Sequence, residues 1–190
     1  MAEGNNTKLT WANCIATLCP TALNKIITVF NDKHNPKAIV GMKVEFYVDN
    51  GLICLLSCVN KRNSLYQYLI KYKCFVVNIS TLDILEKCYQ DIPANNDLSY
   101  SKAEIINAPR IDDALVSLEC KIIWNKEFYK GSNNCLFCAK VVGTSRNETY
   151  FNEEGFVKPE KRIYVERLLA NLNPDTGKPF ETYTCYVESE

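Results

Sequence analysis

The sequence predicts a mainly β fold with α decoration, a mostly antiparallel barrel in one domain spanning 1–190, and three features of it carry that expectation. Segments rich in β-branched and aromatic residues outnumber those with helical periodicity. Clusters of Asn, Asp and Gly join most of them by short turns. One helical segment crosses between two strands, which suits a barrel with helical decoration. No internal repeat, low-complexity tract or linker divides the chain. The barrel core is expected over about 20–150, with a helical and extended tail over 151–190.

Taken in order, Leu9 to Leu18 reads as a short helix ended near Pro20. Asn24 to Phe30 is a β-branched strand, and the turn residues Asn31 to Pro36 predict a hairpin returning along Lys37 to Tyr47. Asp49-Asn50-Gly51 is a tight turn, because Asn and Gly tolerate positive φ, and Leu52 to Val59 is the next strand. Asn63 is a candidate N-cap for a helix through Tyr72, since Leu65, Tyr68, Leu69 and Tyr72 recur at helical spacing. Cys74 to Ser80 is a short buried strand, and Thr81 can cap a second helix over Leu82 to Tyr89. The polar stretch 90–113 is a long excursion of a kind that often carries function. Two long strands follow, Ala114 to Phe128 and Cys135 to Ser145, joined around Gly131. Pro159 to Ala170 reads as a helix with Pro in its first turn, and Tyr183 to Val187 as a last strand.

Composition removes several function classes. Lys+Arg and Asp+Glu both number 22, so a nucleic-acid partner, which needs a surplus of cations to displace phosphate counterions, is not expected. No apolar run approaches the ~20 residues of a membrane span, so no membrane partner is expected. The polar start Met1 to Asn6 lacks the basic opening of a signal peptide, so a cytoplasmic location is expected. The 10 cysteines are scattered and several lie among aliphatic residues, so they read as buried thiols in a reducing compartment rather than as a disulfide scaffold.

The motif record is mostly negative. The seven glycines form neither a dinucleotide fingerprint nor a Walker loop. Cys135-Leu-Phe-Cys138 is the lone C-x-x-C, but in a strand residues three apart face opposite ways, which favours packing over redox or zinc chemistry. No second cysteine pair completes a four-ligand zinc site. The single histidine, His34, lies in a turn and reads as a solvated loop residue, so a histidine-dependent hydrolase is a poor fit. Asn60-Lys-Arg-Asn-Ser64 stands apart: it joins a strand to a helix start and combines two cations, a hydroxyl and backbone N–H groups, as phosphate binding requires. An ordinary solvated loop explains it about as well. Trp11, Trp124, Tyr150 and Tyr164 suit either a wall for a planar ring or packing.

Several pieces, in this order, resemble the flavin reductase-like family with the FMN-binding split barrel: Ile26 to Phe30, Val40-Gly-Met42, Leu55 to Lys61, Phe75 to Asn78, Ala108 to Cys120 with its Leu-Glu-Cys, and Asn134 to Val142. The resemblance runs from about residue 20 to 165. It implies a homodimer with FMN near the subunit interface, and NADH or NADPH as donor. It places the second-strand contacts at Lys43, Val44, Glu45 and Phe46, the ring beside Ser57, Cys58 and Val59, and the phosphate at Asn60, Lys61, Arg62 and Ser64. It implies no catalytic side chain, because the flavin carries the chemistry. The chain departs from the family where Lys43-Val-Glu45 replaces the frequent Thr and Ser, where Asp49-Asn50-Gly51 replaces an Asp-Pro-Pro turn, and where Asn134 stands for a frequent His. Lys43 and Arg62 are suited to compensate electrostatically, whereas Glu45 would repel a phosphate unless it points away or binds a ribityl hydroxyl.

The leading expectation is an NAD(P)H-dependent flavin reductase that passes electrons to free flavin, iron or another small acceptor. Its rivals are an electron carrier or ferric reductase without direct nicotinamide use, and a non-catalytic ligand-binding or scaffold barrel.

Overall fold

The computed structural model describes residues 25–40, 44–81, 84, 87, 88 and 98–153 in full, and the backbone of 163–168 and 183–188. Eleven strands and one complete α-helix are described. They are β1 (Lys25–Phe30), β2 (Pro36–Ile39), β3 (Val44–Asp49), β4 (Leu52–Asn60), α1 (Ser64–Tyr72), β5 (Cys74–Ile79), β6 (Tyr100–Lys102), β7 (Pro109–Ile111), β8 (Val116–Glu127), β9 (Asn134–Arg146), β10 (Ile163–Leu168) and β11 (Tyr183–Glu188).

The turns form for the reasons visible in their residues. Asn31 Oδ1 accepts the N–H groups of Lys33 and Asn35, and His34 takes the left-handed region at φ 58°, closing β1 on β2. Asn50 and Gly51 both have positive φ, 49° and 77°, as a two-residue hairpin loop between Asp49 and Leu52 demands. Asn63 caps α1 through Oδ1, which accepts the Leu65 N–H at 2.9 Å, and Lys73 ends it in the left-handed region. Leu65 and Leu69 are the buried stripe, as the spacing predicts.

One antiparallel sheet runs in the order β2-β1-β5-β8-β9-β4-β3. Here the sequence expectation needs correction, for the continuous return strand over Lys37 to Tyr47 is two strands. β2 pairs with β1, β3 pairs with β4, and they occupy opposite edges of the sheet. Flat, those edges would stand six strand spacings apart, about 29 Å, yet the five residue steps from Ile39 to Val44 reach roughly 17 Å at full extension. The sheet must therefore roll. Register shifts in the β8–β9 ladder, between Glu119 and Cys120 and between Ile122 and Trp124, supply local bends. The ladders of β2 and β3 do not meet, which leaves a split barrel rather than a closed one.

Inside the roll, Ile27, Val29, Val44, Leu55, Val59, Phe75, Val77, Leu118 and Phe137 form the main core, with Leu65 and Leu69 closing one side. β5 is buried on both faces, because the 98–113 excursion covers its outer side. Two smaller cores lie beneath that excursion, around Ile26, Leu98 and Ile111 and around Val76, Ala103 and Ile106.

Two further expectations meet the structure at the C-terminus. The helix expected over Pro159 to Ala170 is a strand over Ile163–Leu168, paired with β11, and the expected last strand is present. Ile163, Tyr164 and Val165 favour extended backbone once a partner strand is available, and that pairing outweighs the helical signal of Pro159. The helix expected at 82–89 is helical at its described residues, Ile84, Lys87 and Cys88, whereas Leu9 to Leu18 lies outside the described residues.

Candidate functional site

The residues singled out from sequence converge on β3, β4 and the turn that follows, but strand alternation divides them. Val44, Ser57 and Val59 are buried and turned inward, and Phe46 is half-buried against the same core. Glu45 and Cys58 lie on the outer face, where Glu45 stands opposite Leu56 and Cys58 opposite Leu136. Lys43 lies outside the described residues. Any contact that Ser57 or Val59 makes with an outer-face ligand would pass through backbone, leaving Cys58 as the thiol that faces it.

Asn60 to Ser64 is a built turn. Asn60 Oδ1 accepts the Arg62 N–H at 2.9 Å and its carbonyl accepts the Asn63 N–H at 2.9 Å, while the Lys61 N–H donates to the Asn133 carbonyl at 2.7 Å. The turn is thus pinned to the start of β9, where Asn60 pairs with Asn134. Lys61 bonds the Glu127 carboxylate, which raises the ammonium pKa and lowers that of the carboxyl, the Gly131 N–H adding to the second effect. Lys37, from β2, donates to Ser64 Oγ at 2.7 Å and lies 5.7 Å from the Tyr68 ring centroid. Arg62 is exposed, and its guanidinium forms no ion pair among the described residues. Three cations and the start of α1 therefore surround one turn, a donor set that fits a phosphate.

Sequence reasoning missed Lys37 and Glu127, because 27 and 66 residues separate them from their partners. It also missed Lys25. This residue alternates with the core residues Ile27 and Val29, is only 5% exposed, and sends Nζ across the split to the Val44 carbonyl at 2.9 Å. A cation in the inward register of a β-branched strand was the available signal.

The cysteine pair behaves as strand geometry requires. Cys135 joins the main core with Phe137 and Ala139, while Cys138 lies on the other face near Cys54. Burial, with Cys54 adding, raises the Cys138 thiol pKa. Cys58 has an open surface, yet desolvation and then Cys135 raise its pKa too, so neutral pH keeps it protonated. His34 is an exposed turn residue that contacts the rings of Phe30 and Tyr72. No metal-holding cluster of His, Cys, Asp or Glu occurs among the described residues. Nor is any described helix long and apolar enough to cross a membrane.

Outside this region, a cavity of about 320 Å³ is lined by Arg110, Asp112, Ser117, Ser145, Arg146 and Glu148 among others. Its arginines already face Glu104 and Glu148, and Asp112 adds a further negative charge, so it lacks the surplus of an anion site.

No family model matches the chain. No curated protein matches it either. Solved structures do. A 2-nitrobenzoate 2-nitroreductase of Pseudomonas fluorescens is 18% identical, with a TM-score of 0.65 over 100% of this chain and 92% of that one. A flavoredoxin of Methanosarcina acetivorans is 17% identical, with a TM-score of 0.67 over 89% and 86%. A flavin reductase described as having a split barrel domain, from Shewanella frigidimarina, is 12% identical, with a TM-score of 0.64 over 100% and 94%. The chain has the split-barrel fold, the architecture named for the Shewanella frigidimarina flavin reductase.

Proposed function

We propose that the chain is a single-domain, FMN-binding oxidoreductase that takes reducing equivalents from NADH or NADPH and passes them to free flavin, iron or another small acceptor. The observation that carries this reading is the turn Asn60 to Ser64, where Lys61, Arg62 and Lys37 gather at the start of α1 beside the outward strip of β4. The likeness in fold to flavin reductases and flavoredoxins supports it.

When bound, the flavin supplies the hydride and electron chemistry. The chain's own residues hold and shelter it. Arg62, Lys61 and the Ser64 hydroxyl meet the phosphate, and Cys58 and Glu45 border the ring and ribityl chain from the outer face. Tyr47, Leu52 and Trp124 leave apolar surface exposed on the same four-strand face. A second copy of the chain is the wall that would cover it, which makes the working form a homodimer. The cytoplasm, which supplies both nicotinamide and reduced thiols, is the compartment this reading assigns to it. The flavoredoxin likeness and Asn134 favour one rival, a carrier without nicotinamide activity.

Purified protein separates these readings. Yellow colour with flavin absorption is expected, and anaerobic bleaching by NADH or NADPH selects the reductase. Retained colour with both donors selects the carrier, and a colourless protein after incubation with FMN leaves the scaffold. Arg62→Ala should weaken FMN more than riboflavin by about 1.5–3 kcal/mol, the worth of a charge-assisted hydrogen bond. Equal losses for the two ligands, measured by fluorescence titration, would remove Arg62 from the phosphate site.

A further inference from the structure

The cavity of about 320 Å³ lies where the 98–113 excursion rejoins the sheet. One side of it is built from hydroxyls. Ser117 on β8 stands opposite Ser145 on β9, and both line the cavity. Ser117 is 3% exposed and gives its single hydroxyl proton to Asn78 Oδ1 at 2.9 Å, so its oxygen can only accept from anything else.

The other side is charged. Arg110 and Asp112 flank the buried Ile111 and both line the cavity, yet they form no ion pair with each other. Arg110 Nε donates to Ser101 Oγ at 2.8 Å, which fixes the guanidinium. Its Nη1 stands 3.6 Å from the Glu104 carboxylate, beyond hydrogen-bond reach, and that carboxylate is 75% exposed, so the pair is weak. The Nη1 and Nη2 N–H groups are thereby left for a planar acceptor such as a carboxylate. Asp112 is exposed at the mouth, and its carboxylate has no hydrogen bond or ion pair among the described residues. Arg146 is engaged by Glu148 and by the ring of Phe151 at 4.9 Å.

This balance of charge, which argues against a plain anion, is what a molecule carrying both signs requires. The volume is near the lower end for ligand sites, so that molecule is small. We propose that the cavity binds a free α-amino acid, its carboxylate received by Arg110 and its ammonium by Asp112 and the Ser117 oxygen. The site is separate from the candidate flavin site. The length of β9, roughly 40 Å at the usual strand rise, lies between Asn134 at the cationic turn and Arg146 here. The proposal therefore does not rest on the flavin reading.

The test is a titration of the full chain with glycine and with L-serine, followed at the amide resonances of Ser117 and Ser145. Saturable shifts at both positions are expected from at least one of the two. Acetate and methylammonium, which carry one charge each, should bind about tenfold more weakly or worse, and Arg110→Gln and Asp112→Asn should each cost the amino acid a similar factor, as the loss of a charge-assisted hydrogen bond would. No shift from either amino acid by roughly 10 mM, a concentration above the millimolar range of weak ligands, would overturn the proposal. So would acetate binding as well as glycine, or variants that keep the affinity of the unaltered protein. If Arg110→Gln does not fold, Asp112→Asn decides, because the Asp112 side chain is exposed and holds no described bond.

Discussion

At the scale of single residues, two buried polar side chains hold the 98–113 excursion on the barrel. Asn78 Nδ2 donates to the Ile26 carbonyl and to Thr28 Oγ1, and its Oδ1 accepts the Ile111 N–H and the Ser117 hydroxyl, at 2.9–3.1 Å. All four of its hydrogen-bonding positions are used. Asn78→Leu would strand several buried partners at once, and we expect a loss of about 3–5 kcal/mol in urea unfolding. Glu119, 2% exposed, accepts three consecutive N–H groups from Glu104, Ile105 and Ile106. Gly143 lies opposite it, where an added Cβ would stand 2.8 Å from Ile105 Cδ1. Glu119→Gln should accelerate amide hydrogen exchange at 104–106 before it affects β1 or β4; uniform acceleration across the sheet would contradict this local role. The leucine-glutamate-cysteine string was readable as a strand opening, but the use of its carboxylate was not, because the three N–H groups lie 13 to 15 residues away.

At the scale of elements, α1 and the strands behaved as their local signals required. The Asn63 cap, the Leu65 and Leu69 stripe and the Asn50-Gly51 loop all depend on neighbours within a few residues. Asn63→Ala should therefore cost about 1 kcal/mol of stability, and, if the adjoining turn holds the phosphate, should weaken FMN as well. The β9 alternation separates Cys135 from Cys138, and replacing both by Ser should leave flavin reduction nearly intact in protein that stays folded. Total loss of turnover in such a folded protein would restore a redox role to the pair. β10 departs from the helix expected there because a proline's position is weak beside the presence of a pairing strand, and β11 lies about 20 residues further on.

At the scale of the whole molecule, the rolled sheet puts its polar and apolar surfaces to different uses. The β1-β5-β8 side is covered by the chain's own excursion. The β3-β4-β9 side, extended by the second half of β8, keeps Tyr47, Leu52 and Trp124 at 44–53% exposure. If that face joins two copies, sedimentation should give a dimer, and Leu52→Lys with Trp124→Glu should shift it to monomer while circular dichroism stays unchanged. A monomeric unaltered protein at micromolar concentration would require another cover for this face.

The sequence by itself determined the turns, the cap, the strand alternation and most strand limits, because these arise from hydrogen bonds and steric preferences within a few residues. It also located the cationic turn, since Asn60 to Ser64 is contiguous. Tertiary structure alone decided that β2 and β3 separate to opposite edges, that Lys37 and Glu127 reach the turn, and that Lys25 crosses the split. Those outcomes depend on which distant strands pair once the sheet rolls, and that choice is set by burying the whole core at once rather than by any local stretch of chain.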